Sequence, residues 1–156
     1  MRSTTLLGYN VHLLENDTDI QGVIDLRPTH IGLFAFDTET DTKIDMSKRD
    51  ASNIDIMHDK PFLIQFGCNN NVFLADLRFK EISKEKVLEC FEEYRKNAVF
   101  ALAHNIKFDI NMLMNIGYDK EFDNACDTMS IARLALESRS EREGGFPMAL
   151  KPLATR

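Results

Sequence analysis

The stretch His30 to Thr40, HIGLFAFDTET, joins an apolar run to a short cluster of acids. Residues 31–36 are almost all apolar, which predicts a strand that is buried on both faces. Side chains alternate along a strand, so Asp37 and Glu39 project to the same side, with Cα atoms ~6.5 Å apart. Two like charges so placed need compensation. A divalent cation bound by carboxylate oxygens would provide it, and so would exposure to water where the strand ends.

Composition places the chain among globular domains. Its 156 residues are enough for one domain with a sizeable core, and 44% hydrophobic and 28% charged residues are ordinary values. No run approaches the ~18 apolar residues of a membrane span, and the N-terminus lacks the apolar region of a signal peptide. The net charge of −6 disfavours tight binding to duplex nucleic acid by charge alone. An enzyme that handles a few nucleotides through metal ions is compatible with it.

Three cysteines, Cys68, Cys90 and Cys126, are present without CxxC spacing. This number and spacing predict reduced thiols in the core of a cytosolic protein, and neither a disulfide framework nor a zinc site.

The elements on either side of the opening stretch include two predicted hairpins. Tyr9–Leu14 and Ile20–Leu26 indicate one strand pair, and residues 61–77 indicate an antiparallel hairpin that turns at Asn69–Asn71. The polar residues 41–60 lack periodicity, so we interpret them as an excursion at the rim of a site.

A helix is predicted over residues 106–116, with Asn105 as N-cap and Gly117 just past the C-terminus. Asp109 lies on its apolar stripe, which continues through Met112, Leu113 and Ile116. An acid near a helix start can simply favour the helix dipole, but an inward carboxylate is costly without a partner. Metal ions shared with the acids of the opening stretch would supply that partner.

The remaining elements follow from helical spacing and capping residues. They are a helix capped by Ser83 and ended by Asn97, a strand at residues 98–103, a strand at residues 122–126, a helix at residues 129–137 capped by Asp127 or Thr128, and the start of a helix at residues 148–156.

FDTET at Phe36–Thr40, followed about seventy residues later by HNIKFD at His104–Asp109, is a paired signature. The pair resembles the first two exonuclease motifs of the DEDD superfamily of 3′–5′ exonucleases. The similarity is greatest to the proofreading domain of family A (pol I-type) DNA polymerases, especially those of phage. The segments DKPFLIQFG, VFLADL, CDTMSIARLALES and ALKPLA also look like parts of that family.

This resemblance implies that residues 1–156 form a single 3′–5′ exonuclease-like domain. The expected fold is α/β and RNase H-like, with a mixed sheet of about five strands, flanking helices and an incomplete C-terminal portion. The implied activity is two-metal-ion hydrolysis of the 3′-terminal phosphodiester of single-stranded DNA.

The resemblance also implies a set of site residues. Asp37, Glu39 and Asp109 would be the catalytic carboxylates that hold two Mg²⁺ or Mn²⁺ ions, with Asp37 bridging both. The candidate contacts to the single-stranded DNA 3′ end are Thr38, Thr40, His104, Asn105 and Phe108. Of these, Phe108 is better explained by core packing than by base stacking, because a stacking platform must be exposed.

The chain departs from the family in its third motif. The family takes a fourth carboxylate from Tyr-x-x-x-Asp or His-x-x-x-x-Asp, but no Asp follows Asp127, and Glu137, Glu141 and Glu143 lie in no such motif. We therefore expect an N-terminal portion that lacks the third motif and the last helices, with weak or no activity alone. A polymerase domain or a downstream fragment would supply the missing carboxylate, in the cytoplasm of a bacterial or phage-infected cell.

Two other functions stay open on the sequence. The chain could be a non-catalytic module that keeps the exonuclease fold to bind a partner protein or single-stranded DNA, although three converging acids are of no use to such a module. It could also be a freestanding RNA exonuclease of the RNase D or RNase T kind, against which the LKPLA segment weighs mildly. Discrimination of DNA from RNA depends on pocket shape and not on these motifs.

Overall fold

The computed structural model describes residues 1–40 and 59–135 of the chain. The expected excursion at residues 41–58, the acids from Glu137 onward and the helix at residues 148–156 lie outside the described residues. The described elements, in chain order, are β1 (Arg2–Leu6), β2 (Tyr9–Leu14), α1 (Asp17–Asp25), β3 (Ile31–Thr40), β4 (Pro61–Cys68), β5 (Asn71–Asp76), α2 (Lys84–Arg95), β6 (Ala98–Ala103), α3 (Ile106–Asn115), β7 (Ala125–Asp127) and α4 (Thr128–Ala135).

One mixed sheet organises these elements, in the order β1-β2-β5-β4-β3-β6-β7. The pairs β1–β2, β3–β4 and β4–β5 are antiparallel, whereas β2–β5, β3–β6 and β6–β7 are parallel. The α/β class and the mixed sheet agree with the RNase H-like expectation. The sheet has seven strands in the described residues where about five were expected.

The additional strand β1 forms a hairpin with β2. Leu7 and Gly8 connect the two strands, with φ values of 52° and 85°. Two consecutive residues with positive φ are the backbone of a type I′ turn, whose twist matches that of a two-residue hairpin.

The expected strand Ile20–Leu26 is wrong, because most of these residues belong to helix α1. The side chain of Asn16 accepts a hydrogen bond from the backbone N–H of Asp19, at 2.9 Å, and so caps the helix. Ile20, Val23 and Ile24 are buried on one helical stripe. A short apolar run can satisfy a strand or a helix, and here the cap and the packing against α2 select the helix.

The β4–β5 hairpin is confirmed, with Asn69 at a positive φ of 53° in the turn. The Ser83 cap is also confirmed, since its side chain accepts from the backbone N–H of Lys86.

The expected strand at residues 122–126 is displaced: β7 begins only at Ala125. Phe122 instead stacks on Phe36, with ring centroids 5.5 Å apart.

Helix α3 ends as its sequence predicts. Gly117 has a φ of 103°, and its N–H bonds the carbonyl of Met114 at 3.0 Å. The N–H of Tyr118 bonds the carbonyl of Leu113, also at 3.0 Å. These two bonds form a Schellman motif. The motif requires a left-handed backbone conformation at residue 117, which glycine adopts without strain.

The core lies on one face of the sheet. Phe34 and Phe66 of the central strands meet Phe91 of α2, with centroids 5.1 and 6.0 Å from it. The opposite side of β3 is open in the described residues: Leu33 is 56% exposed and Ala35 is exposed. The expectation that β3 is buried on both faces is therefore wrong, because α1 and α2 cover only the face that carries Phe34 and Phe36.

The cysteines are free thiols. Cys68 and Cys90 are buried, and burial raises the pKa of the Cys90 thiol to about 12. Cys126 is only half-buried, so the expectation of a core position is wrong for it. Among the helices that the structure describes, none has the length and apolar character needed to cross a bilayer.

Candidate active site

The two acids of the opening stretch lie inside strand β3 and not beyond its end. Asp37 is paired with Gln65 of β4, and Glu39 is paired with Leu63, before a register shift at the end of the strand. Both acids are exposed, on the open face of the sheet. Strand pairing therefore fixes their backbone, and their same-side orientation follows from the alternation of β3.

The third acid, Asp109, reaches β3 from helix α3. It is 1% exposed, and its Oδ1 accepts hydrogen bonds from the backbone N–H of Thr38 at 2.9 Å and from the Thr38 hydroxyl at 2.8 Å. Thr38 is the residue between Asp37 and Glu39. The structure thus joins the FDTET and HNIKFD motifs directly, through a residue pair 71 positions apart.

The carboxylates perturb one another. Partial desolvation of the Asp37 carboxyl by the surrounding protein, and then the charge of Glu39, raise the pKa of Asp37 above its ordinary value. Burial also raises the pKa of Asp109 to about 6, with a further contribution from the charge of Asp37, although the bonds from Thr38 oppose this. Within residues 1–40 and 59–135, none of the three acids forms an ion pair with Lys or Arg. Their mutual repulsion is therefore not relieved by a side-chain cation of the described part.

The donor chemistry of this set suits Mg²⁺ or Mn²⁺, which prefer carboxylate oxygens. The described residues nevertheless contain no group of three or more His, Cys, Asp or Glu side chains placed so as to hold a metal ion. Asp37 and Glu39 project from the open face, whereas Asp109 is bonded to Thr38 between them. The three acids are neighbours, but they are not arranged as a preformed set of metal ligands. Their joint role as metal ligands stays a prediction.

The turn that starts α3 differs from the expected cap. Asn105 has a left-handed backbone, with φ 64° and ψ 50°, and its side chain makes no capping bond. Asn105 therefore occupies the predicted N-cap position, but it does not cap the helix with its side chain, because that bond needs an extended backbone. Asp127 stabilises the turn instead, because its Oδ1 accepts from the backbone N–H of Asn105 at 2.9 Å and from that of Met129 at 3.0 Å.

Asp127 therefore connects α3 and α4. Burial alone would raise the pKa of Asp127, but hydrogen bonds from Ser130 and from the N–H groups of Met129 and Asn105 hold it below its ordinary value. The sequence prediction of Asp127 as a helix-capping residue is confirmed. Its bond to Asn105 was not predicted, since no local pattern relates residues 22 positions apart.

His104 is held at the end of β6. Its Nδ1 lies 3.0 Å from the Thr128 hydroxyl oxygen, and that hydroxyl donates to the Ala103 carbonyl at 3.2 Å. Thr128, the first residue of α4, therefore holds the His104 ring beside the end of β6.

The expected substrate contacts have different degrees of access. Asn105 is exposed, and His104, Thr40 and Phe108 are half-buried. Thr38 is 5% exposed, and its hydroxyl donates to Asp109. In this structure Thr38 therefore orients Asp109, and a contact of any of the five with a nucleotide stays a prediction.

A groove of about 870 Å³ runs along the open face of the sheet. Its polar lining includes Asp37, Gln65, His104 and Thr128, and its floor is formed by apolar strand residues that include Leu33, Ala35, Val72 and Leu102. Sequence reasoning did not single out Gln65, which donates from Nε2 to Oδ2 of Asp37 at 3.1 Å. The sequence feature that could have identified Gln65 is its position as the polar residue in the middle of the apolar strand PFLIQFGC.

The sheet order and the flanking helices define an RNase H-like α/β fold. No protein-family model and no curated protein matches the sequence. Among solved structures, the chain is similar to the EXO domain of Aedes aegypti Nibbler, with a TM-score of 0.56 and 16% identity over 86% of this chain. It is also similar to the catalytic core of RRP6 from Trypanosoma brucei, with a TM-score of 0.55 and 15% identity over 86% of this chain.

A third similar structure is Escherichia coli RNase D, described as an exoribonuclease involved in structured RNA processing. Its TM-score is 0.55, with 16% identity over 84% of this chain. The chain spans 60% of the Nibbler chain, 33% of the RRP6 chain and 30% of the RNase D chain. At these identities the comparisons establish a shared fold.

Proposed function

We propose that this chain is part of a metal-dependent 3′–5′ exonuclease that hydrolyses the 3′-terminal phosphodiester of single-stranded nucleic acid. The observation that carries the proposal is the pair of bonds from Thr38 to Asp109. These bonds bring the acid of HNIKFD to the residue between the two acids of FDTET. Carboxylates that repel one another destabilise the fold when no ligand is bound, and divalent cations would offset that repulsion.

Each residue has a specific part in the proposed reaction. Asp37 and Glu39 would hold the cations from the open face, and Asp109 would contribute from α3. When bound, the ions would supply an activated water and stabilise the departing 3′ oxygen. Thr38 orients Asp109 through two hydrogen bonds, and Asp127 fixes the backbone of Asn105 beside the groove. His104 and Asn105 would then contact the terminal nucleotide.

Two substrates have separate support. The paired motifs and the LKPLA segment resemble proofreading domains, which favours the 3′ end of single-stranded DNA and the context of a DNA polymerase. The likeness to RNase D, which is described as an exoribonuclease, favours RNA. In either case the proposal includes a polymerase domain or a downstream fragment that supplies the fourth carboxylate.

Hydrolysis of matched oligonucleotides tests the proposal. A 5′-labelled single-stranded DNA and an RNA of the same sequence are incubated with the chain and Mn²⁺ or Mg²⁺, with EDTA as the metal-free control. We expect only weak stepwise shortening from the 3′ end, because the sequence contains no third motif, and we expect Asp37→Ala and Asp109→Ala to abolish it. Asp119→Asn is the matched control, because this acid is 78% exposed and pairs only with Lys120 in the described residues. The preferred oligonucleotide identifies the substrate class.

The alternative function, a non-catalytic binding module, predicts a different result. Such a module would bind the oligonucleotide without shortening it, and binding would survive both Asp37→Ala and EDTA. That outcome would contradict the proposed exonuclease.

Metal binding is tested separately by thermal melting. We expect Mn²⁺ to raise the Tm of the wild-type chain. A ligand that binds only the folded state, present at a concentration of a hundred times its Kd, raises the free energy of unfolding by ~2.7 kcal/mol. Asp37→Asn should raise the Tm without metal, because a like charge is removed from the neighbourhood of Glu39 and Asp109. It should also abolish the response to Mn²⁺. A mutant with the wild-type metal response would show that Asp37 is not a ligand.

A further inference from the structure

Gln65 is the hydrogen-bond partner of the acid that is most central to the site. Its side-chain Nε2 donates to Oδ2 of Asp37 at 3.1 Å. Within residues 1–40 and 59–135, no other donor bonds the Asp37 carboxylate. Gln65 and Asp37 are direct partners in the β3–β4 register, so the contact is built into the strand pairing.

The surroundings of Gln65 explain why the bond is well defined. Ile64 and Phe66, its neighbours along β4, are buried on the opposite face. Leu74 of β5 is its cross-strand neighbour on the other side. Gln65 is half-buried and has backbone pairing with strands on both sides. Its side chain therefore starts from a rigid part of the sheet, which a positioning group requires.

An amide is suited to this position by its charge. Lys or Arg would also orient Asp37, but it would neutralise the negative charge that attracts a cation. A glutamine amide donates a hydrogen bond without adding a charge. It occupies one carboxylate oxygen, Oδ2, and thereby limits the rotation of the Asp37 side chain. Hydrogen bonds of this kind to metal-ligating carboxylates are a recognised way to raise metal affinity.

We propose that Gln65 is a positioning residue that holds the Asp37 carboxylate in the orientation for divalent-cation binding. This inference rests on the proposed function, because it takes Asp37 to be a metal ligand. Gln65 acts through Asp37 and contacts neither the cation nor the substrate in this proposal. Its removal should weaken Mn²⁺ binding and leave the fold intact.

The test compares two glutamines that make the same type of bond. Gln65→Met removes the amide and keeps the length of the side chain. Gln21→Leu is the matched control, because Gln21 donates to Asp25 at 2.9 Å on the exposed surface of α1. The dissociation constant of Mn²⁺ is measured for each chain by electron paramagnetic resonance of free Mn²⁺, and the metal-free Tm is measured in EDTA. This readout is independent of catalysis.

We expect Gln65→Met to raise the Mn²⁺ dissociation constant by ~10-fold or more, the usual effect of losing a partner of a metal ligand. Gln21→Leu should bind Mn²⁺ like the wild type. Gln65→Asn is a second variant that keeps the amide but is one methylene shorter, and it should also weaken Mn²⁺ binding. It serves in place of Gln65→Met if that chain does not fold.

The outcomes separate this inference from the proposed function. A wild-type chain that does not bind Mn²⁺ contradicts the proposed function, and the role of Gln65 with it. If the wild type binds Mn²⁺ and the Gln65 variants bind equally well, the inference alone is wrong. An equal loss in Gln21→Leu also overturns it, because the effect would then not be specific to Asp37.

Discussion

Replacement of Asp109 by Asn would measure what the buried carboxylate costs the metal-free fold. Asn keeps an Oδ1 that can accept both bonds from Thr38, which are 2.9 and 2.8 Å long in the structure. It removes a charge that burial disfavours and that the charge of Asp37 repels. The substitution therefore separates the hydrogen-bonding role of Asp109 from its charge.

The magnitude follows from the pKa of Asp109, which is raised from 3.8 to about 6. The folded state then binds the proton more tightly than the unfolded chain, so ionisation destabilises the fold. The cost is absent below pH 3.8, grows between pH 3.8 and about 6, and is complete above that range. At ~1.4 kcal/mol for each tenfold change in proton affinity, the full cost is on the order of 3 kcal/mol.

Urea unfolding in EDTA, at pH 7.5 and pH 4, gives the free energy of unfolding for both chains. We expect Asp109→Asn to be more stable by ~1–3 kcal/mol at pH 7.5, the lower value applying if the new amide N–H finds a poor acceptor. The gain should nearly vanish at pH 4. A variant less stable than the wild type at pH 7.5, or a gain equal at both pH values, would refute the reasoning. Asp119→Asn, at an exposed site, should show no gain at either pH.

Two further substitutions are checked by the same unfolding measurements. Gly67→Ala should destabilise the chain by ~1–3 kcal/mol, because its Cβ would lie 2.6 Å from the backbone oxygen of Asn71. Gly22→Ala is its control, since nothing lies within 4 Å of that Cβ, and it should be neutral or stabilising. Asn16→Ala should cost ~1 kcal/mol through loss of its cap bond to the Asp19 N–H. If Gly67→Ala does not change the free energy of unfolding, the backbone of Asn71 does not lie as close to Gly67 as described. If Asn16→Ala does not change it, the cap bond does not stabilise α1.

The elements with strong local signals could be predicted from the sequence. The β4–β5 hairpin followed from two apolar runs around Asn69–Asn71, and the end of α3 followed from Gly117. The inward position of Asp109 followed from the apolar residues three, four and seven positions after it. These features depend on the backbone preferences and the periodicity of a few neighbouring residues. Both can be recognised directly in the sequence.

Other features could not be predicted because the sequence pattern allows two structures. The apolar residues of α1 have the composition of a strand, and their packing against α2 decides that they are helical. The run 31–36 indicated burial on both faces, but its composition carries no information on which face the helices cover. Leu33 is consequently exposed although its type is typical of a core.

The sequence by itself therefore determined which strands and helices carry Asp37, Glu39 and Asp109, because alternation and helical spacing act over neighbouring residues. Only the tertiary structure decided how these side chains are held. The bond from Thr38 to Asp109 spans 71 residues, and the bond from Gln65 to Asp37 depends on the β3–β4 register. Both contacts arise from the pairing and packing of distant elements, which no local pattern encodes.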